Sequence, residues 1–393
     1  MKRVLKAILG STLLLVVAGI AILTVDAWSD MGMPPEGERL DRIAQSPQYY
    51  DGAFQNVLPM EYFGASPSLL WTFFTNDTPY RTPEAPLPVV TRTAEDFAEP
   101  RAELRVTWLG HSTLLVELDS ARVLIDPVWG ERASPFSFLG STRFHAPPLA
   151  LDDLPPVDAV LISHDHYDHL DLFTVQQLAE RVPRWLVPLG LGSHLEYWGI
   201  PADRITELDW WDTAEAGGLT LVSTPARHFS GRSLTDRFAT LWTGWAILGQ
   251  TQRVFYSGDT SLTPSFADIG KRYGPFDLTL IESGAYNAAW ADVHLGPEQA
   301  VAAHQMVRGS VLVPVHWGLF DLAMHSWTEP AERILAAAGP LGIPVALPKP
   351  GESITTTDFP TERWWPERPW QTGAEAPAVS SNLPDSVRAL IPD

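Results

Sequence analysis

Ser163-His164-Asp165-His166-Tyr167-Asp168-His169 packs three imidazoles and two carboxylates into seven residues, directly after the apolar run that begins at Ala159. Where such a run leaves a strand on a loop, neighbouring imidazoles can point into one cavity and hold a divalent cation. His164 and His166 can share one ion while Asp168 and His169 face a second. Three further apolar runs each end on one donor: His228 after Pro225-Ala226-Arg227, Asp259 after Ser257-Gly258, and His316 after Pro314-Val315. Taken singly, a strand-end histidine is more often a satisfied structural residue than a ligand. Delivered to one edge of a sheet, the three complete a pair of sites. The chain has no cysteine, which excludes disulfides, thiolate metal sites, Cys nucleophiles and iron–sulfur clusters, so a metal must sit on His and carboxylates. No G-x-S-x-G, Walker loop or dinucleotide fingerprint is present, and serine-hydrolase, NTPase and dehydrogenase readings have no support.

The elements that must carry these donors read as short β-branched runs at 105–109, 113–118, 122–125, 159–163, 219–223, 254–257, 278–281 and 311–315. Helical spacing spans 173–181, 297–307 and 330–338, with Pro297 and Pro330 suited to first helical turns. Interleaved to about Glu352, these runs predict an α/β or mixed α+β domain of about 250 residues.

Outside that domain the texture changes. Lys2, Arg3 and Lys6 precede an uncharged run from Ala7 to Val25, long enough as a helix to cross a bilayer. Residues 1–27 are therefore expected to form a transmembrane anchor, or a signal segment cleaved near Val25-Asp26-Ala27. In either case the rest of the chain lies outside the cytoplasm, on the periplasmic side in a bacterium, and is secreted if cleavage occurs. Residues 28–100 form an irregular Pro-rich strap whose aromatics, among them Tyr49, Tyr50, Phe54, Tyr62, Phe63, Trp71, Phe73 and Phe74, are too many for a solvated linker. Residues 101–355 make the catalytic domain and 356–393 a Pro-rich tail pinned by Trp364, Trp365 and Trp370. With 27 Lys plus Arg against 47 Asp plus Glu, a net charge of -20, nucleic acid is not an expected partner. An anionic substrate would need two metal ions, helped by Arg132, Arg143, Arg227, Arg232, Lys271 or Arg272, to reverse the local field.

The ordered donor set resembles the metallo-β-lactamase superfamily, an αββα sandwich with a dinuclear centre along one edge. Several segments resemble its N-acyl-phosphatidylethanolamine-hydrolysing phospholipase D branch: Arg105 to Thr113, Ile125-Asp126-Pro127, Arg132 to Pro135, the His164 motif, Glu207 to Trp211, Ile269 to Arg272 and His316-Trp317-Gly318. The resemblance spans roughly Arg105 to Glu352. It implies His164, His166 and His228 on one zinc and Asp168, His169 and His316 on the other. Asp259 and a solvent of near-neutral pKa would bridge them, and the same ligands also suit Fe or Mn. Asp126 would orient a ligand imidazole from behind, and His111 would support the site. Tyr167 and His294 match positions that contact the phosphate, with Asp168 and Asp259 completing the catalytic group. The branch's Gly-Ala-Tyr segment stands as Gly284-Ala285-Tyr286, but the stretch before His294 is altered and shortened, so acyl and head-group preference do not transfer. The expectation is a membrane-associated zinc hydrolase of phosphodiesters, acting on N-acyl-phosphatidylethanolamine or related phospholipids; a homodimer is compatible with the sequence. The alternatives are a lactonase similar to the ascorbate-phosphate lactonase branch and a non-catalytic metal- or lipid-binding envelope protein.

Overall fold

A computed structural model of the chain describes residues 27–61 and 67–392, with Gly19 and Val25 ahead of them. Lys2, Arg3, Lys6, most of the uncharged run after them, and Tyr62 and Phe63 of the strap lie outside the described residues. Among the described residues no helix is long and apolar enough to cross a membrane.

Strict alternation inside the apolar runs builds two layers at once. On β1 (Arg105–Gly110), β2 (Thr113–Leu118), β3 (Ala121–Ile125), β4 (Ala159–Leu161), β5 (Trp185–Pro188) and β6 (Ile205–Leu208), one set of side chains packs inward. Val106, Trp108, Leu114, Val116, Val123, Ile125 and Leu161 belong to this set. The intervening Leu115, Leu124, Val160, Trp185 and Val187 join a second core on the opposite face. Period-two burial on both faces is what an inner sheet between another sheet and a helix layer requires. The second sheet consists of β7 (Thr213–Ala216), β8 (Leu219–Thr224), β9 (Gly244–Leu248), β10 (Arg253–Tyr256), β11 (Phe276–Glu282) and β12 (Gly309–Val315). It runs in simple order β7 to β12, while β13 (Ser353–Ile354) returns to β1, giving the first sheet the order β6-β5-β4-β3-β2-β1-β13. Pairing is parallel from β3 through β6 and from β10 through β12, and antiparallel elsewhere.

Helices cover the outer faces. α1 (Leu172–Leu178) begins where the Asp171 carboxylate accepts the Thr174 N–H at 3.1 Å, an N-cap that fixes the chain's exit from the His164 loop. With α2 (Gly192–Tyr197) it seals the first sheet. α3 (Ser265–Tyr273), α4 (Pro297–Met306) and α5 (Glu329–Ala338) seal the second, α4 lying on β11 and β12. The result is the αββα sandwich, of α+β class.

Residues beyond 355 continue on this body. Trp364 and Trp365 lie 5.4 and 5.2 Å from Trp317, which also stacks on Trp108 at 5.7 Å and faces Trp327 at 6.5 Å. Leu383 and Val387 enter the main core. Upstream, Phe54 and Ile43 of the strap pack with Trp210 and Trp242.

Candidate metal centre

Every predicted donor emerges from the carboxyl end of a strand, and all come to one edge of the sandwich, the general location of ligand sites in sheets of this kind. Asp126 follows β3, the His164 loop follows β4, His228 follows β8, Asp259 follows β10 and His316 follows β12. The two sheets are tied at this edge by the His316 N–H donating to the His111 carbonyl at 3.0 Å. His111, Asp126 and His316 all adopt positive φ (52°, 39° and 66°), a conformation that costs non-glycine residues energy and concentrates at functional sites. Gly284 permits the close fit: a Cβ there would stand 1.6 Å from the His316 carbonyl oxygen.

Two lobes result. In the first, His164, His166, His228 and Asp259 converge, and in the second His111, Asp168, His169 and His316. Asp259 joins them. Its Oδ1 is 3.2 Å from His169 Nε2, and its Oδ2 is 3.1, 3.7 and 3.8 Å from the Nε2 atoms of His316, His164 and His228. Asp168 Oδ2 sits between His111 Nε2 at 2.8 Å and His316 Nε2 at 3.2 Å. His111, expected as a supporting residue, thus stands among the donors themselves. Asp126 lies behind: its carboxylate accepts the Ser163 N–H, the Tyr256 hydroxyl and His169 Nδ1–H, the last at 2.7 Å.

The donor chemistry fits divalent metal. His228 gives its Nδ1 proton to the Val293 carbonyl at 2.9 Å, so its Nε2 turns a lone pair toward His166 Nδ1, 3.2 Å away. His164 Nε2 is 2.9 Å from the same nitrogen. Buried nitrogens packed this closely are one proton short of satisfying one another, and a shared cation resolves the conflict. In the second lobe His169 Nε2 and Asp259 Oδ1 are buried and face each other at 3.2 Å without the alignment of a hydrogen bond.

The lobes differ in charge. Burial, reinforced by neighbouring imidazoles, holds His164 and His228 well below the usual histidine range. Burial also lowers His166, against nearby carboxylates, and takes His111 down to about 3 with help from His316. His169 and His316 go the other way: burial opposes protonation, but Asp259 and Asp168 outweigh it and lift His316 to about 10. Reciprocally, Asp168 and Asp259 stay well below the carboxylate range despite burial, because the same imidazoles face them.

His294, expected to contact substrate, lies half-buried with Nδ1 3.7 Å from Asp259 Oδ2. Tyr167 stands apart from the donors. Its hydroxyl donates to the Arg232 carbonyl, and the Arg232 guanidinium lies 4.0 Å from its ring centroid. Asp165, inside the motif, is occupied structurally by the Gly231 N–H and the Thr240 hydroxyl, both at 2.8 Å. Several arginines expected to reverse the field are engaged elsewhere: Arg227 with Asp292 at 3.2 Å, Arg143 on the Gly130 and His145 carbonyls, Arg272 over Trp211. One group escaped the sequence reading. Glu282, the last residue of β11, places Oε2 2.8 Å from His294 Nδ1 and forms a third convergent set with Asp259, His294 and His316.

An αββα sandwich with two carboxylate-linked histidine clusters at its edge defines the class of metal-dependent hydrolases, and residues 121–317 match the β-lactamase superfamily domain. The chain belongs to that superfamily. Within it, the chain is 39% identical over 264 residues to the N-acyl-phosphatidylethanolamine-hydrolyzing phospholipase D 1 of Caenorhabditis elegans, covering 64% of this chain and 74% of that protein. It is 49% identical over 331 residues to an uncharacterized protein of Mycobacterium tuberculosis, covering 82% and 88%. The isothiocyanate hydrolase from Delia radicum gut bacteria shares the fold, with a TM-score of 0.52 at 21% identity over 64% of this chain and 98% of that one.

Proposed function

We propose that this protein is a dinuclear zinc phosphodiesterase of phospholipase D type, acting on N-acyl-phosphatidylethanolamine or a related phospholipid at a membrane. The observation that carries the reading is Asp259, whose two oxygens reach donors of both lobes. The likeness to the C. elegans phospholipase supports the substrate class.

When bound, a pair of divalent ions supplies Lewis acidity toward phosphoryl oxygens and acidifies solvent at the site. The protein's own part is geometric. Asp126 and the Val293 carbonyl hold the Nδ1 protons of His169 and His228, which directs the Nε2 lone pairs of both rings inward. Asp259 fixes the spacing of the lobes. His294 is placed to bind a phosphoryl oxygen or to hold the proton a leaving group requires. Tyr167 braces the loop after the motif through Arg232, which also donates to the Asp165 and Leu170 carbonyls.

Exposed apolar side chains support a lipid substrate. Trp28, Trp71, Phe138, Leu139, Phe173 and Leu234 are all at least half exposed, and hydrogen bonds hold the segments near Trp28, Phe173 and Leu234 together. The Gly130 N–H bonds Asp171, Arg232 bonds both Leu170 and Asp30, and Trp198 bonds Ser29. Exposed apolar side chains of this size suit a membrane surface. The uncharged run Ala7 to Val25 shortly precedes Trp28 in sequence, in keeping with an anchored domain outside the cytoplasm.

The test combines elemental analysis with hydrolysis of N-acyl-phosphatidylethanolamine, bis(4-nitrophenyl) phosphate and a lactone, side by side. About two metals per chain and cleavage of the phosphodiesters are expected; strong lactone turnover without phosphodiester cleavage would select the lactonase. A reporter fused after Glu352 should be active only outside the cytoplasm.

A further inference from the structure

Glu282 is a fully buried carboxylate whose ion-pair neighbours are imidazoles. Its Oε1 accepts the Thr260 N–H at 2.6 Å and the Leu295 N–H at 3.2 Å, bracing the residues that follow Asp259 and His294. Its Oε2 accepts His294 Nδ1–H at 2.8 Å and lies 3.8 Å from His316 Nδ1. That His316 nitrogen is buried and lacks a hydrogen-bond partner, while Nε2 of the same ring faces Asp168 and Asp259. A carboxylate has acceptor sites enough for all four groups.

The arrangement repeats one on the other side of the same lobe, where Asp126 accepts the Nδ1 proton of His169 and leaves Nε2 to face Asp259. An imidazole that offers Nε2 to a metal carries its proton on Nδ1, and an acceptor behind that proton fixes the ring's orientation and raises its donor strength. His316 needs such an acceptor, and Glu282 Oε2 is the carboxylate oxygen nearest its free nitrogen. The same oxygen already holds His294.

We infer that Glu282 is a positioning residue that backs the donor His316 and the substrate-side His294 through one carboxylate oxygen. A metal-facing ring and a substrate-facing ring are thereby set by a single group. This rests on the dinuclear hydrolase reading, so the test includes measurements that do not depend on any substrate.

Glu282→Gln in the full chain keeps the side chain's volume and one acceptor oxygen for the two amides. Zinc affinity of the weaker site, measured by chelator competition, should fall about tenfold to a hundredfold, the usual effect of losing such an outer partner. Turnover of bis(4-nitrophenyl) phosphate at saturating zinc should fall by a comparable factor. In a His294→Ala background the substitution should cost little further turnover and still weaken zinc. Unchanged zinc affinity, or turnover losses that multiply fully in the double variant, would overturn the proposal. Should the variant fail to fold, nitrogen NMR of the unsubstituted zinc-loaded protein decides instead. His294 and His316 should both carry their protons on Nδ1 in strong hydrogen bonds, and a proton on Nε2 of either ring refutes the role. If the protein cleaves no phosphodiester at all, the proposed function fails, while zinc affinity and ring tautomers still judge Glu282.

Discussion

The two lobes of the candidate metal centre share Asp259 but solve opposite electrostatic problems. Around His166 Nδ1, imidazole nitrogens converge with their pKa values pressed down, so that lobe is a set of lone pairs awaiting a cation. Around Asp168, the rings of His169 and His316 are held protonated by two carboxylates, so that lobe is already neutralised by its own ion pairs. The first can bind metal without giving up protons, whereas the second must release protons to do so. Metal sites that look equivalent by ligand count therefore need not fill or empty together.

Asp259→Asn strikes what the lobes share and should have the largest effect, removing most metal and lowering turnover by about a thousandfold or more. Elemental analysis beside the phosphodiester assay checks both. Substitution within one lobe sharpens the contrast: His169→Ala or His316→Ala should bring the metal content toward one per chain. A protein that binds a single ion before any substitution would end the two-lobe description. His294→Ala touches neither lobe's principal donors and should keep both metals while slowing turnover about tenfold to a thousandfold. Tyr167→Phe, whose hydroxyl is committed to the Arg232 carbonyl, should cost less than about tenfold. A larger loss with metals retained would restore a direct phosphate contact. The subtlest difference is in pH. Because binding in the second lobe must displace protons from rings whose pKa is raised, its occupancy should decline first as pH falls. Rings in the first lobe are already neutral and should hold their ion to lower pH. Metal content titrated from neutral to acid should show two steps, and a single step contradicts the asymmetry.

Many of the strands and the donors were legible for the same reason. Runs such as Thr113 to Leu118 and Val311 to Val315 are long enough to read as strands, and a chemically conspicuous residue follows several of them. The spacing His164, His166, Asp168, His169 has little structural use apart from a metal. What escaped is equally instructive. β5 is four residues closed by Pro188, and β9 opens on Gly244, so neither carries enough periodic signal to stand out from buried loop. α3 is nine residues long, and its buried face is Ser265, Phe266, Ile269 and Gly270, only two of them large and apolar. Glu282 gives no signal because one acid at the end of an apolar strand looks like the first solvated residue after it. Only the packing of β11 beside β12 shows that this carboxylate stays dry and meets His316. Tyr167 shows the converse, since its place in the motif suggested a contact with phosphate that its hydroxyl, turned to Arg232, does not prefigure.

The stack of indoles behind His316 has an optical consequence. Trp317 is the next residue after a second-lobe donor, and Trp108, Trp327, Trp364 and Trp365 lie between 5.2 and 6.5 Å from it, ring centroid to ring centroid. Excitation energy migrates among indoles packed so closely, which makes the group act as one antenna beside the metal centre. Cobalt bound there would drain that antenna, so filling of the second lobe could be followed as quenching of the protein's own ultraviolet emission, without any added dye.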